Sequence, residues 1–204
     1  MIEFDHIAVA GETLEQATLH VETALGVQMQ PGGEHAVFNT HNTLMGLAEG
    51  MYLEAIAVNP AAPRPDRARW FDLDRFEGAA RLTNWICRCK DLDGTLAALP
   101  AGFGEPVSLQ RGDLRWRMAV PADGVLPFDN CAPALIEWEG DMHPSQMLAM
   151  SGASIKTLTI SHPDAADLAE LLAPHLVDDR VVFAQGAAML VASLDVAGQV
   201  RTLA

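Results

Sequence analysis

The chain of 204 residues carries only three cysteines, Cys87, Cys89 and Cys131. So small and odd a number builds no disulfide framework, and the single residue between Cys87 and Cys89 is one short of the spacing of a redox or zinc pair, so all three read as small buried hydrophobes. No run of about 18 apolar residues is present, which excludes a transmembrane helix. The opening Met1-Ile2-Glu3-Phe4-Asp5-His6 lacks the basic flank and long apolar run of a secretory signal. The expectation is a cytoplasmic protein with no membrane partner. Positive charge is also scarce: 13 Lys and Arg stand against 27 Asp and Glu, for a net charge of -14. Phosphate backbones are bound by clustered cations, so nucleic acid is excluded as a partner as well. No Lys or Arg precedes Arg64, whereas Arg64, Arg67, Arg69, Arg75, Arg81, Arg88, Lys90, Arg111, Arg115 and Arg117 fill the middle of the chain. That asymmetry points to an anionic small molecule handled mid-chain, with a solvated charged loop as the alternative for the arginines before Arg88.

Half of the residues are apolar, enough for one large domain or two small ones. Ile2–Ala10 alternates and is rich in β-branched and aromatic types, the pattern of a strand. A helix follows, with Thr13 and Gln16 as a capping box, Leu14, Ala17, Val21, Ala24 and Leu25 as its apolar stripe, and Gly26 as its stop. Three short strands fit next, near 34–40, 43–48 and 51–58, with His41-Asn42 and Glu49-Gly50 as turns. The strand-helix-strand-strand-strand order recurs near 82–140, with Asp91 as the helix cap, and again over 153–204, where Ser161 caps a helix with Pro163 in its first turn. The reading is an α+β chain of repeated βαβββ modules: 1–58 and 82–140 paired around an open mixed-sheet barrel cup, and a third βαβββ-like module at 153–204. A Pro- and Arg-rich connection, 59–81, joins the first two. Its Trp70-Phe71 pair suggests a segment that packs over something, or ordinary packing on the barrel wall.

Alternation along each strand sorts side chains onto two faces. Placing the apolar set of each strand against the helices leaves His6, Tyr52, Glu54, Arg115, Arg117 and Glu137 on one concave surface. Two carboxylates in one concavity repel unless a cation, a proton or an arginine neutralises them.

The segments Phe4-Asp5-His6-Ile7-Ala8-Val9-Ala10, Pro31-Gly32-Gly33-Glu34-His35, Thr40-His41-Asn42, Tyr52-Leu53-Glu54, Asn84-Trp85-Ile86 and Ile136-Glu137-Trp138 give the chain, over nearly its whole length, a resemblance. It resembles the glyoxalase-like branch of the vicinal oxygen chelate superfamily, whose paired modules surround a divalent metal. The resemblance implies metal ligands from the first and last strand of each module, which map onto His6, Glu54, Trp85 and Glu137. Nearly equal intervals separate His6 from Glu54 and Trp85 from Glu137. An indole cannot serve as a ligand, so His6, Glu54 and Glu137 remain for a divalent ion such as Mn, Fe, Co, Ni or Zn. Glu54 and Glu137 are the catalytic carboxylates in that scheme, a metal-dependent lyase, isomerase or dioxygenase. Arg115, Arg117, Tyr52 and Trp85 are the candidate contacts of a small, oxygenated, anionic ligand. Two other readings stay open: a metal-free binding or sequestering cup of the drug-resistance type, and a structural network in which Arg115 and Arg117 pair with Glu54 and Glu137. The third module implies either a sheet that extends the first two or pairing between chains in a homodimer.

Overall fold

A computed structural model describes residues 1–204. The first module runs β1 (Ile2–Ala10), α1 (Leu14–Leu25), β2 (Gln30–His35), β3 (Thr40–Gly46) and β4 (Tyr52–Val58). The second runs β5 (Arg81–Cys89), α2 (Leu92–Ala97), β6 (Glu105–Arg111), β7 (Leu114–Val120) and β8 (Ala134–Glu139). Their strands form one eight-stranded sheet in the order β2-β3-β4-β1-β5-β8-β7-β6. The modules meet where the first strand of each pairs antiparallel with the other, β1 against β5. The sheet is curled, so it presents a concave face and a convex one.

Local chemistry explains the helices. In α1 the Thr13 side chain accepts from the Gln16 N–H at 3.2 Å, and Gly26 closes the helix in the left-handed region with φ 70°. Its buried stripe, Ala17, Val21 and Leu25, packs on the convex face. Helix α2 is only six residues long and includes Gly94, so it covers that face thinly.

The C-terminal segment comprises β9 (Ala153–His162), α4 (Ala165–Leu172), β10 (Val181–Gln185), β11 (Met189–Val196) and β12 (Gln199–Leu203), preceded by the short helix α3 (Pro144–Met147). Its element order repeats that of the first two modules, but its pairing does not. The first strand lies inside its sheet, in the order β10-β9-β11-β12, where β1 and β5 each lie at the edge of their own module. This second sheet does not extend the first. It stacks on the convex side, and Ile155, Leu158, Leu168 and Leu194 share one core with Ile7, Val9, Leu53 and Trp85. The expected Ser161 cap is also displaced: β9 continues through His162, and Asp164 precedes α4. No helix is long and apolar enough to cross a membrane.

Both faces of the large sheet are therefore apolar over most of their extent. The convex core is joined by the helices and the second sheet; the concave one is lined by Ile56, Ile86, Leu109, Trp116, Met118 and Ile136. Burying both faces of one sheet makes its strands near-continuous hydrophobic runs and weakens the alternation signal.

Candidate functional site

The concave face closes on a small polar chamber lined by His6, His35, Asn42, Tyr52, Glu54 and Arg111, under Trp70, Phe71, Trp116 and Trp138. Its volume is about 30 Å3, room for a water or two. Larger grooves of about 810 and 720 Å3 open elsewhere on the surface, and the second shares Trp138 with the chamber. Neither groove gathers buried polar groups as the chamber does.

His6, Tyr52 and Glu54 reach the chamber from β1 and β4 as strand alternation requires. The His6 and Tyr52 rings stack with centroids 4.1 Å apart. Asn42 donates its Nδ2 hydrogen to Glu54 Oε1 at 2.5 Å, and its Oδ1 accepts from the Gly33 N–H at 2.8 Å and from Arg111 at 3.2 Å. The His41-Asn42 pair is thus no turn: the β2–β3 reversal falls earlier, at Asn39 with φ 50°, and Asn42 lies inside β3. Arg111, the last residue of β6, crosses to β2 because Gly33 has no side chain. A Cβ there would stand 2.7 Å from Arg111 Cδ, and one on Gly32 would stand 2.0 Å from Asn42 Oδ1.

His35 is 4% exposed, edge-on to Trp70 and Trp116, with Arg111 Nη1 at 3.5 Å. Burial, then the Arg111 charge, depress its pKa to about 3, so the ring is neutral. Glu54 Oε1 lies 4.0 Å away and favours the charged form. The guanidinium is nearer, and Glu54 already accepts from Asn42, so the neutral form prevails. With Thr40 Oγ1 at 3.0 Å from Nδ1, Nε2 serves as the acceptor facing Arg111.

The second half of the expected constellation lies elsewhere. Glu137 points to the convex side, where its carboxylate accepts from the Leu92 N–H at the start of α2 at 2.8 Å and pairs with Arg117 at 2.6 Å. Arg117 also holds Asp93 at 2.7 Å. Arg115 is exposed beside Glu139. Trp85 is buried in the convex core, donating Nε1–H to the Cys131 carbonyl at 2.8 Å. On β7 and β8 the apolar set, Trp116, Met118 and Ile136, is the concave one, because α2 offers little apolar surface to bury while the chamber offers more. Glu137, Arg115, Arg117 and Trp85 are therefore not brought together with His6 and Glu54. Alternation separated two faces correctly and could not say which was concave.

Several polar atoms here have no partner. Both amide atoms of Asn84, on the concave side of β5, are buried and unbonded, as is Trp70 Nε1. Trp70 belongs to a 3-10 turn, Trp70–Asp72, in the connection between modules, which closes over the chamber. It is held by Arg69, whose Nε–H donates to the Phe38 carbonyl at 2.9 Å, and by the Asp72 N–H, which donates to the Gly124 carbonyl at 2.9 Å.

A sequence profile described as a glyoxalase-like domain matches residues 4–176. The chain belongs to the glyoxalase-like domain family. Among solved structures, a hypothetical protein from Staphylococcus aureus is 15% identical with a TM-score of 0.61, covering 93% of this chain and 88% of that one. A Mn(II)-bound glyoxalase from Novosphingobium aromaticivorans is 11% identical with a TM-score of 0.48, over 92% of this chain and 63% of that one. Methylmalonyl-CoA epimerase from Mycobacterium tuberculosis is 17% identical with a TM-score of 0.43, over 68% and 88%. No curated protein sequence matches the chain.

The donors of this glyoxalase-like chamber do not fit a divalent ion. Asn84 precedes α2 by the same interval that separates His6 from α1, and Ile136 is the third residue of β8 as Glu54 is of β4. The second module thus presents Asn84 and Ile136 where the first presents His6 and Glu54. An isoleucine supplies no ligand atom, and an amide is a weak one beside a carboxylate. No three His, Cys, Asp or Glu side chains anywhere in the chain are grouped to hold a metal. The cation standing beside Asn42 and His35 is Arg111.

Proposed function

We propose that the protein binds a small oxygenated carboxylate in this chamber without a metal, with Arg111 as the anchor of the anionic group. The observation that carries this reading is the state of Arg111. The arginines in ion pairs are Arg69, Arg75, Arg88, Arg117 and Arg180. Arg111 has no carboxylate partner and lines the chamber, bonded only to the Asn42 oxygen and neutral His35. A guanidinium presents a fork of donors matched to a carboxylate, and a partly buried one without a direct ion-pair partner favours an anion. The Trp70 Nε1–H without a partner, with the Tyr52 hydroxyl and His6, supplies contacts for a neighbouring hydroxyl or carbonyl. A ligand of that size exceeds the closed chamber, so entry requires the Trp70–Asp72 turn to lift.

Trp70, Trp116 and Trp138 line the chamber, so intrinsic fluorescence reports its filling. Titration with small 2-oxo and 2-hydroxy carboxylates, in EDTA-treated protein and again with added Mn or Zn, is expected to give metal-independent binding. Arg111→Met is expected to weaken it by about 10- to 100-fold, the loss of a charged hydrogen-bonded contact. Binding that appears only with metal, or that survives Arg111→Met unchanged in a folded variant, refutes the reading.

A further inference from the structure

Strand β1 carries a bulge between Phe4 and His6, where its register against β5 slips by one residue. A bulge re-aims side chains, and here it turns Asp5 and His6, adjacent in sequence, toward the same concave side, while Phe4 and Ile7 both enter the convex core. Asp5 is fully buried. It accepts from His6 Nδ1 at 2.5 Å through Oδ1, and from His143 Nε2 at 3.1 Å and Trp138 Nε1 at 3.2 Å through Oδ2.

The protonation pattern follows from these contacts. His143 precedes α3, and its Nδ1 accepts from the Ser145 N–H at 3.3 Å, so its proton is on Nε2, facing Asp5. Burial pushes the Asp5 carboxyl up, but the hydrogen bonds from His143 and His6 outweigh this and hold it well below the usual range, so it stays ionised. An ionised carboxylate only accepts, which fixes the His6 proton on Nδ1 and leaves a lone pair on Nε2. The Tyr52 oxygen is 3.2 Å from that nitrogen, but the two rings are stacked at 17°, so the phenol sits over the imidazole face while the lone pair lies in the ring plane. His6 lines the chamber, and the Tyr52 hydroxyl is the polar group beside its Nε2.

We propose that His6 is a metal-free general base for the bound carboxylate, with Asp5 and His143 as the residues that position it. This rests on the chamber reading above. With the carboxylate on Arg111, a proton on carbon next to a carbonyl is taken by His6 Nε2. The C–H electron pair becomes the enolate, whose oxygen the Tyr52 hydroxyl and Arg111 can face. The imidazolium keeps its Nδ1–H on Asp5, which balances its charge, and a proton returned to the carbon completes an exchange. Orientation of a histidine by a buried carboxylate is the arrangement that activates bases on unrelated folds. His143 comes from the connection between the two sheets, so removing it leaves Asp5 one donor short without touching the ligand.

The test uses pyruvate and 2-oxobutyrate as probes in D2O, following loss of the proton signals next to the carbonyl by NMR, with fluorescence measuring binding in parallel. Wild type is expected to accelerate exchange. His6→Ala and the gentler His6→Gln are expected to lower it by about 10²- to 10⁴-fold, the usual contribution of a general base. His143→Ala is expected to slow it, and His143→Gln, which keeps an N–H donor, to restore part of the loss. Nitrogen-15 spectra of histidine, recorded with no ligand, are expected to show His6 protonated on Nδ1 in the wild type and to lose that preference in Asp5→Asn. Probes that bind without exchanging faster than in His6→Ala overturn the base assignment and leave the chamber reading standing. Probes that fail to bind count against the chamber reading. The tautomer spectrum then decides the geometry alone: a His6 proton on Nε2 overturns the proposal, and one on Nδ1 upholds its Asp5–His6 arrangement.

Discussion

His35 makes the protein sensitive to mild acid in a way that can be calculated. In the unfolded chain its pKa returns to about 6.5, whereas in the fold burial and Arg111 hold it at about 3. Below pH 6.5 the unfolded state takes up a proton that the folded state refuses. The folded pKa is depressed, so the contribution is fully present above the unfolded value and is lost as pH falls from 6.5 toward 3. Between pH 7.5 and 4.5 one such site costs about 2.6 kcal/mol, and the figure changes little if the folded value is a unit higher, because pH 4.5 lies above either. Other groups titrate across the same range, so the quantity to measure is a difference. Urea unfolding of wild type and His35→Gln across this range isolates it, since glutamine has no proton to gain. The wild type should lose about 2.6 kcal/mol more than the variant between the two pH values. Parallel stability curves would mean that His35 is charged in the fold. The acceptor assigned to His35 Nε2 opposite Arg111 would then be wrong.

Other outcomes follow from single contacts. Gly33→Ala places a Cβ 2.7 Å from Arg111 Cδ; the flexible arginine should swing away, so ligand affinity falls by about tenfold with little change in thermal stability, read by fluorescence and calorimetry. Glu137→Ala removes the acceptor of the Leu92 N–H at the start of α2, which should cost about 1 kcal/mol, or roughly 2–4 °C in Tm, and leave ligand affinity unchanged. A large loss of affinity with no loss of stability would return Glu137 to the chamber. The β11–β12 hairpin turns at Ala197-Gly198, both left-handed with φ 51° and 81°; Ala197→Asn should stabilise the fold by about 0.5–1 kcal/mol, measured by urea unfolding.

The repeated order of strands and helices, the caps at Thr13 and Asp91, the stop at Gly26 and the inward side of β1 and β4 were all legible in the sequence, because each is written in residues close together along the chain. His6, Tyr52 and Glu54 were found because α1 is long enough to mark unambiguously which side of the first module is convex. In the second module α2 is short, so Trp116 and Ile136 looked like residues that belong beneath a helix, and Arg117 and Glu137 like residues of a cup. Period-two alternation defines two faces and is silent on which one is concave; that is decided by what else in the chain covers each face.

His143 and Asp5 were invisible as partners for a different reason. One lies at the start of a short helix, where capping is the default reading, and the other is turned inward by a one-residue register slip that no local pattern announces. Arg111 reaches the chamber only because β2 and β6, far apart in sequence, curl toward each other and Gly33 leaves room. The placement of the last four strands was undetermined in the same way. Their order along the chain was readable, but whether β9 lies at the edge or inside its sheet depends on hydrogen bonds between segments, and the stacking of that sheet on the convex face depends on apolar surface left uncovered by α1 and α2. The sequence by itself therefore determined the elements, the family and half of the chamber. The tertiary structure alone decided which side chains meet in it, because convergence of side chains is a property of sheet curvature and register, and neither is encoded within a single strand.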